Sequence, residues 1–342
     1  MLEGNKENYF YGAKKQTKEI KMKKLLFLLL IVFFIGLISV ESISAQQQPR
    51  IGVVMMVLTG NYYQIQLGEA CKKVSDAMGA RATVYGPQSF GDYVQQMNIV
   101  EDLITKRVDL IILNPCHPQA LVPAVMKAKK AGIPVVTIDN KVESDAVLAY
   151  IGTNNFNGAY TGAKYIAEKI QGRGKVAILE GEAGNPNAIL RRDGAMKGFS
   201  EYPRINVVAS QNAHWTEEGG LTVMENILQA HPDIAAVFCS CDNIAFGAAQ
   251  AAKNKGVRPV IVGFDGIPEA MDAIKKGTID ATVAQFPGKM AELGIRLGLA
   301  YIEYLEDIEN ILEKPFPEVI DTGVTVVDKS NMSKFKGAFS VF

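Results

Sequence analysis

Residues 51–263 alternate between short apolar runs and longer stretches whose apolar positions recur at helical spacing. The first runs are Ile51–Val57, Arg81–Tyr85, Val108–Leu113 and Ile133–Ile138. Between them, Ile65, Ala70, Val74 and Met78 mark one helix, and Gly91–Lys106 and Ala120–Ala131 read as two more. After Gly152 the alternation restarts, with strands expected at Lys175–Glu180, Ile205–Ala209, Ala235–Cys239 and Val260–Gly263. Helices are expected at Asn157–Ile170, from Ala188, at Thr216–Ala230 and at Asp242–Lys255, and again at Pro287–Leu312. Apolar runs without a polar alternate position read as strands buried on both faces. Strands alternating with helices imply an α/β fold with parallel sheets. Two successive groups of four strands imply two similar lobes rather than one wide sheet.

Several runs end in a carboxylate or carboxamide: Leu110–Leu113 in Asn114, Ile133–Ile138 in Asp139 and Asn140, and Val260–Phe264 in Asp265. Open α/β sheets build their ligand sites at the carboxyl ends of such strands. A single residue of this kind reads equally well as a cap on the following helix; the repetition favours a polar cleft fed by several strand tips.

Residues 1–45 are of another character. Lys21–Lys24 precede the fourteen-residue apolar run Leu25–Ile38, and small residues lead to Ala45. A basic start, a short apolar core and a small-residue exit make a secretory signal peptide, with cleavage expected after Ala45 and Met22 as an alternative start. An uncleaved anchor is the competing reading, but the apolar run falls short of the roughly 20 residues a span needs. With residues 1–45 removed, 29 basic and 32 acidic residues remain, which excludes the basic footprint of a nucleic-acid binder. Cys71, Cys116, Cys239 and Cys241 show no zinc-site spacing and read as buried small hydrophobes. The sequence contains no nucleophile elbow, phosphate loop or His-Glu-x-x-His motif, so no catalysis and no cofactor are expected.

The remaining chemistry suits a neutral polyol, whose hydroxyls need carboxylate and carboxamide acceptors, Arg or Asn donors, and aromatic faces against C–H surfaces. Tyr62, Tyr63, Asn114, Asp139, Asn140, Asn185, Arg192, Trp215, Asp265 and Gln285 supply these groups. The bland alternatives are core packing for Tyr62 and Tyr63 and a surface pair with Asp193 for Arg192.

Residues Arg50 to about Asp328 resemble the type I periplasmic sugar-binding proteins of ABC importers, near the ribose and xylose branches. The resemblance rests on Leu113-Asn-Pro115, Thr137-Ile-Asp139, Gly162–Ile166, Val223–Ile227, Ala236–Phe238, Val262–Gly266 and Ala281–Gln285. It implies two Rossmann-like lobes joined by three crossings that close on the ligand by a hinge. The first lobe would be 50–153 plus 286–320, the second 154–285 plus 321–342. It places Tyr62 and Tyr63 at stacking positions, and Asn114, Asp139, Asp265 and Gln285 at hydroxyl-binding positions. Trp215 takes a third stacking position. On the xylose-type pattern Asn185 and Arg192 contact ligand; on the ribose-type pattern the arginine position falls on Ile189. Asn140 stands where ribose binders carry Arg, and Cys241 where both branches carry Asn, so ribose in the same pose is not expected. The implied partners are a monosaccharide or related polyol and an ABC permease, with the protein exported as a monomer. A sugar sensor feeding a chemoreceptor or sensor kinase is the alternative. A LacI-type repressor core would share the fold but need a DNA-binding segment and no signal peptide.

Overall fold

A computed structural model describes residues 48–59, 61–304 and 317–340. The expected signal peptide, and the part of the last expected helix beyond residue 304, lie outside the described residues.

The first sheet contains β1 (Arg50–Val54), β2 (Arg81–Tyr85), β3 (Leu110–Leu113), β4 (Val135–Ile138), β5 (Ala149–Gly152) and β11 (Val319–Asp321). The second contains β6 (Arg173–Glu180), β7 (Arg204–Asn212), β8 (Ala236–Cys239), β9 (Val260–Asp265), β10 (Ala281–Ala284) and β12 (Thr325–Asp328). Their strand orders correspond: β11-β5-β4-β3-β1-β2 and β12-β10-β9-β8-β6-β7. Pairing is parallel throughout except between β10 and β12. Every residue of β3, β4, β8 and β10 is buried, as strands covered by helices on both faces must be.

The helices are α1 (Tyr62–Ala77), α2 (Tyr93–Thr105), α3 (Val122–Lys130), α4 (Asn155–Lys169) and α5 (Pro186–Ser200). They continue with α6 (Glu217–Ala230), α7 (Asp242–Asn254), α8 (Pro268–Lys276) and α9 (Pro287–Glu303). Side-chain caps from Asn61, Asp92, Asn154, Asn185 and Thr216 satisfy backbone N–H groups at the starts of α1, α2, α4, α5 and α6.

The chain leaves the first sheet after β5, returns to it after β10 through α9, and passes from β11 to β12 across residues 322–324. Gly152 and Thr322 join two of these crossings: the Gly152 carbonyl accepts from the Thr322 N–H at 2.9 Å and from its hydroxyl at 3.1 Å. Strands β5 and β10 and helix α8 add to the elements expected from the periodicity. Their apolar stretches are only a few residues long, too short to display a period. Of the segment 321–342 that the resemblance assigned to the second lobe, β12 pairs with β10 in the second sheet, and the residues after it also reach the first lobe. Phe339 packs edge-on against Tyr62 and Tyr63 of α1, and the Ala338 carbonyl accepts from the Gly288 N–H. Among the described residues no helix is long and apolar enough to cross a membrane.

Candidate functional site

The carboxyl ends of both sheets face one cavity. Its lining includes Met56, Asn61, Tyr63, Gln64, Phe90, Asp139 and Asn140 from the first lobe. Asn185, Asn187, Arg191, Trp215, Cys241, Asp265 and Gln285 line it from the second lobe and its hinge.

On the first lobe the centre is Asp139, immediately after β4 and 4% exposed. Its Oδ2 accepts from Asn114 Nδ2 at 2.9 Å, Gln64 Nε2 at 3.2 Å and Asn140 Nδ2 at 3.2 Å, and its Oδ1 accepts from the Tyr63 hydroxyl at 3.2 Å. Asp139 has φ +63°, in the left-handed region, which turns its side chain off the strand direction. Two donors hold that conformation through the Asp139 carbonyl: the Tyr150 hydroxyl from β5 and Asn187 Nδ2 from α5, each at 3.0 Å. The second of these joins the two lobes. Burial raises the Asp139 pKa, and the nearby Arg191 guanidinium opposes the shift.

On the second lobe Asp265 ends β9, and its Oδ1 accepts from Gln285 Nε2 at 2.7 Å and from Arg191 Nη1 at 3.2 Å. Arg191 is 4% exposed: Nη1 also donates to the Ser240 carbonyl at 2.7 Å, and Nε to Asn155 Oδ1 at 2.7 Å. Its guanidinium lies 3.8 Å from the Phe264 ring centre and 5.5 Å from that of Trp215. A buried guanidinium held between a carboxylate, a carbonyl and two aromatic faces keeps its charge with no freedom to turn away. Burial pushes the Asp265 pKa up to about 6, with Arg191 and Gln285 pulling it back. Trp215 is half-buried with φ +59°, and its indole fits because residue 181 is glycine: a Cβ there would sit 2.1 Å from the ring.

The cavity thus offers two carboxylates, one guanidinium and several amides. Asn140 Oδ1 and Gln285 Oε1 are buried and have no hydrogen-bond partner among the described residues. Both belong to cavity-lining side chains, so both are acceptors open to a ligand hydroxyl. Tyr63, Phe90 and Trp215 add aromatic surface. Among the described residues no cluster of His, Cys, Asp and Glu is arranged to hold a metal ion.

Two lobes of like topology with convergent strand tips on a polar cavity are the architecture of a binding protein, and the periplasmic binding protein domain matches residues 51–306. The chain belongs to the type I periplasmic sugar-binding proteins of ABC importers. It is 35% identical to the D-allose-binding periplasmic protein of Escherichia coli, over 75% of this chain and 85% of that one. Against the ribose import binding protein of Bacillus subtilis the identity is 36%, over 72% and 80%. A solved solute-binding protein from Actinobacillus succinogenes with bound D-allose superposes with a TM-score of 0.78 at 35% identity, covering 84% of this chain and all of that one.

Of the residues singled out in the sequence, Tyr63, Asp139, Asn140, Asn185, Trp215, Cys241, Asp265 and Gln285 line the cavity. Asn114 stands just behind it, bonding Asp139 and accepting from Asn140 at 2.8 Å. Tyr62 and Arg192 stand elsewhere. Tyr62 turns away from Tyr63 toward a surface groove between α7 and α8, because consecutive helical residues point about 100° apart. Arg192 is 37% exposed and pairs with Asp193 at 2.8 Å and Glu180 at 3.8 Å. The arginine of the cavity is its neighbour, Arg191. Neither the xylose-type nor the ribose-type pattern reaches it, yet helix phase does. The buried positions of α5 are Asn187, Ala188, Arg191, Gly194, Ala195, Gly198 and Phe199, a stripe of threes and fours that includes Arg191 and omits Arg192. Gln64, Phe90 and Asn187 carry no comparable mark in the sequence; Gln64 lies one residue beyond the Tyr pair and has no signal of its own.

Proposed function

We propose that this protein captures a neutral aldose between its two lobes and releases it to an ABC permease outside the cytoplasm, after export by the segment 1–45. The observation that carries this reading is the pairing of Asp139 and Asp265, one from each lobe, on a single cavity with Arg191. A ring hydroxyl donates to a carboxylate while accepting from an amide or the guanidinium, and both lobes must be present to complete the set. Two carboxylates against one arginine leave the site anionic, which disfavours sugar phosphates and sugar acids. Cys241 contributes only a weak donor, so the ligand edge beside it is a C–H edge. The relatives are named for D-allose and ribose, and the ribose relative is an import binding protein by name, which supports the transport reading.

A thermal-shift panel of D-allose, D-ribose, D-arabinose, myo-inositol, gluconate and ribose 5-phosphate tests this. A saturable rise in melting temperature with at least one neutral sugar and none with the two anions is expected, since a ligand of the native state alone stabilises it by mass action. Stabilisation only by the anions would contradict it.

A further inference from the structure

Asp242 is the one completely buried carboxylate that the cavity does not use among the described residues: it is 0% exposed and does not line the cavity. It begins α7 without capping it: the N-cap is Cys241, which makes no side-chain cap bond. Asp242 reaches instead across to the loop after β9. Its Oδ2 accepts from the Gly266 N–H at 2.8 Å and the Ile267 N–H at 3.0 Å, and its Oδ1 accepts from the Thr282 hydroxyl at 2.7 Å. These contacts surround a conformationally unusual corner of the second lobe. Asp265 has φ +113° and Gly266 φ +76°, consecutive residues on the side of φ space that L side chains avoid. The residue before α8, Ile267, has no capping side chain, so Asp242 supplies the acceptor for its N–H and shares the Gly266 N–H with the Thr282 hydroxyl, 3.2 Å away. Close approach is allowed by Gly263 on β9, where a Cβ would lie 2.3 Å from Asp242 Oδ1.

We propose that Asp242 is a positioning residue for ligand binding: it fixes the Asp265–Ile267 corner from behind and so sets where the Asp265 carboxylate stands in the cavity. This rests on the sugar-binding reading. The first lobe solves the same problem differently, holding left-handed Asp139 by the Tyr150 hydroxyl on its carbonyl. In the second lobe the hold is on the N–H side of the corner, where the single oxygen Asp242 Oδ2 takes both N–H groups.

The test compares Asp242→Asn, Asp242→Ala and Thr282→Val by titration calorimetry with D-allose and D-ribose, alongside amide hydrogen exchange at Gly266 and Ile267. An Asn carboxamide keeps one oxygen for the two N–H groups, so Asp242→Asn is expected to retain affinity within about 3-fold and to keep both amides protected. Asp242→Ala is expected to lose at least about 20-fold in affinity with both amides exposed, while the binding stoichiometry of the folded fraction stays at one. Thr282→Val removes the hydroxyl's bond to Asp242 and the second, longer acceptor of the Gly266 N–H at 3.2 Å but leaves both Asp242 Oδ2 bonds; it is expected to fall between them and provides the measurement should Asp242→Ala fail to fold. Exposed amides with unchanged affinity in Asp242→Ala or Thr282→Val would overturn the positioning role while leaving the sugar site standing. Equal loss of affinity in Asp242→Asn and Asp242→Ala would overturn it too, by showing that the charge rather than the brace matters. If the wild-type protein binds no sugar while its two amides are protected, the sugar reading fails and the proposal falls with it.

Discussion

The difference between Arg191 and Arg192 shows how much one residue of phase decides. The two are chemically identical and adjacent, yet one is locked among Asp265, Ser240 and Asn155 and the other sits on an exposed surface with Asp193. Replacing Arg191 with Met leaves Asp265 buried without its cation. Sugar affinity is expected to fall at least about 100-fold and stability by about 3 kcal/mol. Arg192→Ala is expected to stay within about 0.5 kcal/mol on both counts, because exposed pairs contribute little. Calorimetry and urea unfolding of the two variants check this, and equal effects would contradict the assignment. The acidity of Asp265 yields a second expectation. Its pKa stands near 6 in the ligand-free protein because burial disfavours the anion. A ligand hydroxyl that donates to the anion lowers that pKa, so near and below pH 6 binding releases a proton. Affinity is therefore full above about pH 6 and weakens as pH falls through that value, by up to tenfold per pH unit. An affinity constant between pH 7.5 and 5 would show that Asp265 receives no ligand hydroxyl. At this scale the strand-tip residues were legible because a polar side chain directly after a wholly buried strand either caps the next helix or faces the cleft. Gln64 and Asn187 were not, since a polar residue in the first turn of a helix reads as an ordinary solvated one.

Among the elements, α5 carries the most function in the least space. Asn185 caps it by accepting from the Asn187 and Ala188 N–H groups at 2.9 and 3.2 Å, Pro186 opens it, and Asn187 and Arg191 then follow one turn apart. The cap fixes the direction of the helix start and with it both ligand-facing side chains. Asn185→Ala is expected to cost about 1 kcal/mol of stability in urea unfolding, and Asn185→Asp to recover it, because aspartate caps as well as asparagine. An unchanged unfolding midpoint in Asn185→Ala would mean that the helix start is held by packing alone. The strand–helix alternation made most elements legible, since strands such as β3 and β8 are apolar at every position. Strand β5 escaped because its neighbours define it: Ala149–Gly152 is a strand by pairing with β4 and β11, and its own sequence is mixed. Strand β11 comes from a segment about 170 residues away from its partner, a pairing no local pattern encodes.

For the molecule as a whole, the two corresponding sheets put the ligand-facing strand tips on one side, and three crossings join the lobes, two of them bonded to each other at Gly152 and Thr322. The Asn187–Asp139 bond spans the cleft, and the tail returns Phe339 from the second lobe to Tyr62 and Tyr63 of the first. The two-lobed plan was legible from the repeated alternation. The return of the tail was not, because one phenylalanine near a chain end carries no pattern. What unites these features is a single claim, that a neutral sugar is held between Asp139 on one lobe and Asp265 with Arg191 on the other. Titration calorimetry of residues 46–342 with D-allose and D-ribose at pH 7.5 tests it most directly. The expected result is saturable one-to-one binding of at least one of them with a dissociation constant of about 10 μM or tighter, corresponding to roughly 7 kcal/mol. It should be abolished in the double variant Asp139→Ala/Asp265→Ala. Binding that persists undiminished in that variant, or no heat from either sugar with a cooperatively folding protein, would contradict it.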